Sequence, residues 1–182
     1  MKFCHIAPVP HLDLVRHQQT HLTLAHIAET DEDYCTFYAG LPSGTVNIMD
    51  NSGFEMYKAG LPNFPPEALI PLANKVNADY IVIPDYPDMP SIVGIDDARR
   101  YAPAFKEAGF GTFFVPQSTK GDLEDLIISF AFAASNPLID YIGISILAVP
   151  NAYSCEKGNN LQRYMARWKF MNELKSRGLL QL

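Results

Sequence analysis

Short apolar runs alternate with amphipathic stretches along this chain, and several runs turn abruptly polar at their C-terminal side. Residues 46–50 (Val-Asn-Ile-Met-Asp) lead into Asn51-Ser52-Gly53-Phe54-Glu55. Residues 79–85 (Asp-Tyr-Ile-Val-Ile-Pro-Asp) end on a carboxylate, and residues 112–117 (Thr-Phe-Phe-Val-Pro-Gln) end on an amide. A buried parallel strand is apolar while it crosses the core and polar where it emerges. These runs therefore predict strands that carry Asp50, Asp85 and Gln117 at their C-terminal ends, where ligands bind in open sheets and barrels. Further strands are predicted over residues 3–9, closed by Pro8 and Pro10, over residues 21–27 (His-Leu-Thr-Leu-Ala-His-Ile), and over residues 140–149 (Asp-Tyr-Ile-Gly-Ile-Ser-Ile-Leu-Ala-Val).

Helical signals fall between these runs. A short helix is predicted over residues 11–19. Another starts at Thr30-Asp31-Glu32-Asp33 and buries Tyr34, Phe37 and Tyr38, whose spacing makes one face. Pro65-Pro66-Glu67 opens a helix that continues through Leu69, Leu72, Ala73 and Val76. Residues 96–108, 121–134 and 159–176 read as three more helices, the first stopped by Gly109 and Gly111 and the last by Gly178. Residues 53–66, with Gly60, Pro62, Pro65 and Pro66, read as a loop. Strand and helix alternate about six times at ~30 residues per unit, the size of a βαβ repeat. That alternation predicts an α/β fold with a parallel sheet, one domain spanning residues 1–182.

Composition changes this picture little. The 182 residues are 48% hydrophobic and 19% charged, ordinary for a globular protein. No run approaches the ~20 apolar residues of a membrane span, and three dispersed cysteines do not make a disulfide framework. A cytoplasmic protein with reduced thiols is the expectation. Charge is uneven. Residues 157–182 carry six cations against Glu173 alone, a charge of +5, so the net −6 leaves −11 on the rest. A basic last helix on an acidic body suits contact with a phosphate backbone, and Arg163 and Arg167, four apart, share a face of it. On charge alone a solvated helix face is the better explanation of the basic helix, and for Arg163 and Arg167 the two readings stand level.

Asp50, Asp85 and Gln117 suit the polar edge of a planar heterocycle, Phe54 or Tyr86 its flat face, and Gly143 a close approach to the backbone. Each segment also has a plainer reading: Asp50-Asn51-Ser52-Gly53 and Asp85-Tyr86-Pro87-Asp88 both have turn composition. His17 and His21 lie four apart, but no partner motif follows, and a metal site is not predicted. Trp168 and Phe170 are assigned to the core. Cys155, beside Glu156, has no base near it in sequence and is not assigned as a nucleophile.

These residues carry a family resemblance. Met49-Asp50-Asn51-Ser52-Gly53-Phe54-Glu55 resembles the Asp-Ser-Gly-Gly-Phe-Gln motif of the tRNA-guanine transglycosylases. Val82-Ile83-Pro84-Asp85 resembles the strand bearing that family's second base-recognising aspartate, Val115-Pro116-Gln117 its Val-Gln-Gly segment, and residues 142–149 its Gly-Leu-Ala-Val strand. Leu22-Thr23-Leu24-Ala25-His26 and Asp33-Tyr34 with Phe37-Tyr38 are closer to the phage and bacterial branch associated with 7-deazaguanine bases in DNA. The resemblance implies a TIM-barrel-like fold and exchange of guanine in nucleic acid, DNA rather than tRNA, for a 7-deazaguanine derivative. It implies a catalytic Asp50 exchanging protons with the base, and base binding by Asp85, Gln117, Gly143, Phe54 and Gly53. Arg163 and Arg167 would then meet the nucleic acid. The family's nucleophilic aspartate lies on its eighth strand, and no strand ending in aspartate follows Ile146. The expectation is an incomplete barrel of about six βα units, inactive alone and completed by a partner chain or a second copy; the alternative is a non-catalytic base- or nucleic-acid-binding subunit. Cys4, Cys35 and Cys155 lack the family's zinc spacing, so no cofactor is expected.

Overall fold

The computed structural model describes residues 4–180. Five strands form one parallel sheet: β1 (Thr20–Leu24), β2 (Val46–Asp50), β3 (Tyr80–Val82), β4 (Gly111–Phe114) and β5 (Tyr141–Ile142). They are hydrogen-bonded in chain order. Doubly wound sheets reverse strand order at a switch point. This sheet has no reversal, and right-handed crossovers that always step the same way deliver their helices to one face.

The helices are α1 (Ala25–Thr30), α2 (Glu32–Ala39), α3 (Gly53–Ala59), α4 (Pro66–Lys75), α5 (Ser91–Glu107), α6 (Leu123–Ser135), α7 (Ala148–Ala152) and α8 (Asn160–Ser176), preceded by a 3-10 segment, Val9–Val15. Alternation along the strands separates two faces. Met49, Ile81 and Phe114 point into a core with Tyr34, Leu69, Ala73, Ile95, Ala98 and Phe105 from the helices. A second core joins α6, α7 and α8 through Leu126, Phe130, Val149, Ala166, Phe170 and Leu174. The intervening residues Leu22, Ile48, Val82 and Phe113 face the other way and line a hollow.

Several sequence expectations change. Phe3 of the first predicted strand lies outside the described residues; beyond it, residues 4–9 make only a bridge between His5 and His21. Pro8 and Pro10 supply no N–H to extend it. Five strands are therefore described, not six. The strand predicted over residues 21–27 ends at Leu24, because Ala25 and Ala28 turn fully buried into α1. Residues 53–59 form a helix and not a loop; the glycines that suggested a loop sit at its two ends, with Gly60 left-handed (φ 67°) as its cap. The strand predicted over residues 140–149 keeps two residues. Ser145 Oγ accepts hydrogen bonds from the Leu147 and Ala148 amides and turns the chain into α7. Trp168, assigned to the core, is 63% exposed, whereas Phe170 is buried.

Tyr80 lies across the open face opposite Gly111 in register, its ring edge-on to Tyr141 at 5.1 Å. A side chain at Gly111 would enter the space of the Tyr80 ring. Gly111→Ala is expected to cost about 1–3 kcal/mol in denaturant unfolding, and Tyr80→Ala in the same chain to recover part of the loss.

Candidate functional site

The hollow occupies the C-terminal ends of the strands and has a volume of about 450 Å³. That lies within the ~300–1,000 Å³ of small-molecule sites. Asp50, Phe54, Asp85, Gln117 and Gly143 all line it. The structure thus brings together five of the residues singled out from the sequence. Gly53, the sixth, stands behind the wall: a Cβ there would meet Asn51 Oδ1 at 2.8 Å and Asp85 Oδ1 at 3.2 Å. Its lack of a side chain lets the start of α3 press against Asp85. Gly143 also makes room inside the protein, since a Cβ would lie 2.6 Å from the Phe113 ring.

Asp50 is the last residue of β2, and its Oδ1 accepts from the Ser52 amide at 3.3 Å. Ser52 is left-handed (φ 60°), a costly conformation for a non-glycine residue. His26 holds it there: the Ser52 hydroxyl accepts from the His26 amide at 3.2 Å and hydrogen-bonds His26 Nδ1 at 2.9 Å. The turn after β2 is therefore pinned from α1.

Asn51 ties three segments together from a buried position. Its Oδ1 accepts from the Gly53 amide at 2.6 Å, and its Nδ2 donates to the Ile83 carbonyl at 3.1 Å and to Asp85 Oδ1 at 3.0 Å. Gln117 Nε2 donates to the other oxygen, Asp85 Oδ2, at 2.7 Å. Asp85 is fixed between two amides. Among the described residues, Gln117 Oε1 and Glu55 Oε2 are buried without partners.

No model of a known protein family matches the sequence, and a comparison with curated proteins finds no match.

Burial raises the Asp50 carboxyl from 3.8 to about 7, helped by the nearby charges of Asp85 and Glu55 and opposed by the Ser52 and Asn51 amides. Burial also raises Asp85, against the hydrogen bonds from Asn51 and Gln117. Carboxyls crowded in a partly dry site cannot all ionise, and the proton kept near neutrality makes Asp50 both donor and acceptor. The site thus sets two carboxyls on one wall with Phe54 beside them, and the Gln117 carbonyl oxygen lies buried behind that wall. That arrangement fits a flat molecule with an N–H-rich edge.

The last helix contributes at the rim. Arg167 Nη2 donates to the Ile146 carbonyl at 3.1 Å, and Ile146 lines the hollow. Arg163, one turn earlier, faces a neighbouring cavity. Among the described residues no group of three or more His, Cys, Asp or Glu could hold a metal ion; His21 is fully buried, with Nε2 3.1 Å from the Gln18 carbonyl. Among the described residues no helix is long and apolar enough to cross a membrane. Sequence reasoning missed Asn51, Glu55 and the His26–Ser52 pair. Asn51 had one usable signal: in strand alternation it follows Asp50 toward the buried face, where an amide needs partners.

Proposed function

We propose that the hollow binds guanine or a 7-deazaguanine base. The chain on this reading belongs with transglycosylases that replace guanine in nucleic acid, DNA in preference to tRNA. The observation that carries it is Asp85, clamped by Asn51 and Gln117 beside a proton-retaining Asp50 in one cavity. Guanine presents adjacent N–H donors, which the Asp85 and Asp50 carboxyls on the hollow accept, while Phe54 covers part of its face. In base exchange a nucleophile bonds to the sugar C1′ and the C1′–N bond breaks, its electron pair staying on guanine. Asp50 gives its proton to the departing base, and as the incoming base bonds to C1′ and expels the nucleophile, the proton it sheds returns to Asp50.

The strands deliver two carboxyls to the hollow, Asp50 and Asp85, and this reading gives both to the base, so the nucleophile is supplied from outside the described strands. A barrel completed by a partner chain or by a second copy suits the uncovered face, where Tyr141, Ile144 and Ile146 are 52%, 44% and 63% exposed. The same lack of a nucleophile favours a second reading, a base-binding subunit without chemistry. Calorimetry with the chain alone tests the base: guanine and 7-deazaguanine are expected to bind, and adenine about tenfold or more weakly, since its amino-purine edge mismatches the acceptors. Equal binding of adenine and guanine, or none of either, overturns the proposal. Labelled-guanine exchange into DNA then separates the readings: turnover by the 182-residue chain alone would remove the need for a partner.

A further inference from the structure

A second cavity of about 380 Å³ adjoins the first, and Pro87 and Leu147 stand in the walls of both. Three cations converge on it from separate segments: Lys120 in the turn before α6, Lys157 in the turn before α8, and Arg163 in the first turn of α8. Among the described residues, none of the three pairs with a carboxylate. Two acids share the lining, and each is engaged by an amide. Asp88 Oδ1 accepts from Asn151 Nδ2 at 2.6 Å, and Glu156 Oε2 accepts from Asn159 Nδ2 at 3.3 Å. Tyr57, 57% exposed, supplies an aromatic edge.

Three cations without an ion-pair partner, against two acids already held by amides, leave this cavity net positive beside a base-sized hollow on an otherwise acidic body, which suits an anion reaching across from the first cavity. We infer that this second cavity holds a phosphate group attached to the sugar of the base bound next door. Arg163 offers the planar fork that matches two phosphate oxygens, and the two lysines add point charges. The phosphate belongs either to a free nucleoside monophosphate or to the backbone of a nucleic-acid strand. The inference rests on the base reading above and extends it by giving the sugar-phosphate a path from the hollow toward α8.

The test measures the full chain against guanine, deoxyguanosine, its 5′-monophosphate, a short single strand containing one guanine, and oligothymidylate. The monophosphate is expected to bind about tenfold or more tightly than the nucleoside, with a gain that shrinks as salt rises. In Lys120→Ala/Lys157→Ala the gain should disappear while guanine affinity and melting temperature stay unchanged, because both lysines are exposed turn residues. Arg163→Ala should reduce it as well. A strand that binds more tightly than the monophosphate identifies nucleic acid as the source, and equal affinity identifies a free nucleotide. No phosphate gain in the parent, or a gain untouched by the variants, overturns the phosphate site while guanine binding keeps the base reading. Lysine-dependent binding of oligothymidylate without guanine binding does the reverse, and binding of no probe overturns both.

Discussion

At pH values above about 7, Asp50→Asn is expected to be more stable than the parent chain, by at most on the order of 4 kcal/mol. The sign follows from the direction of the shift. Asp50 ionises near 3.8 when unfolded and near 7 when folded. Between those values the unfolded chain releases its proton and the folded chain keeps it, so rising pH favours unfolding. The stabilising contribution is complete below about pH 4, falls by about 1.4 kcal/mol per pH unit, and is gone above about pH 7. Asparagine keeps an oxygen to accept the Ser52 amide and has no proton to lose. Chemical denaturation at several pH values should therefore show two curves that meet near pH 4 and diverge upward. Asp85, shifted in the same direction, leaves a residual slope in both. Parallel curves would mean that Asp50 ionises freely in the folded protein and cannot act as the proton carrier.

Asp85→Ala is expected to weaken guanine binding by about 1.5–3 kcal/mol, roughly 10- to 100-fold in Kd, in direct titration. The substitution removes the acceptor and also releases its two supports. Asn51 keeps its bonds to Ile83 and Gly53, so the turn after β2 should survive. Gln117 loses the partner of its Nε2 and, with its Oε1 already unpartnered, becomes free to rotate. Asp85→Asn separates acceptor strength from packing. Its amide group can accept from one neighbour only and offers N–H where the carboxylate offered a second acceptor, so Gln117 must turn its carbonyl toward it. Guanine should then bind weakly, although the cavity keeps its shape. Unchanged affinity in both variants would place the base elsewhere.

The convergence of Asp50, Asp85 and Gln117 was legible because it follows from strand direction. Each apolar run of a parallel sheet delivers its polar tip to the same end, and three such tips with one spacing pattern meet wherever the strands are neighbours. The turns between strands were less legible. Gly53 and Gly60 have the composition of a loop yet bound a helix, since helix ends and loops ask the same of glycine. Residues 141–149 have the β-branched content of a strand, but Ser145 captures two amides and bends the chain away. Asn51 reads as a local departure from the family motif, and only tertiary contact reveals it as the brace of Asp85. Lys120, Lys157 and Arg163 carry no shared local pattern, because separate segments bring them together. Trp168 failed for another reason: α8 has apolar residues on two sides, and only one of them, through Ala166, Phe170 and Leu174, meets the second core.

The in-order sheet has a mechanical corollary. Each strand grips only its neighbours in sequence, and the two margins differ: five paired positions join β1 to β2, against two between β4 and β5, with two and three at the seams between. Such an assembly peels from its weaker margin, as local opening starts where the fewest bonds must break. Gly143 and Ile144 stand just past that margin while Asp50 stands on the firmest seam. The hollow thus has a firm margin beside Asp50 and a more compliant one beside Gly143 and Ile144.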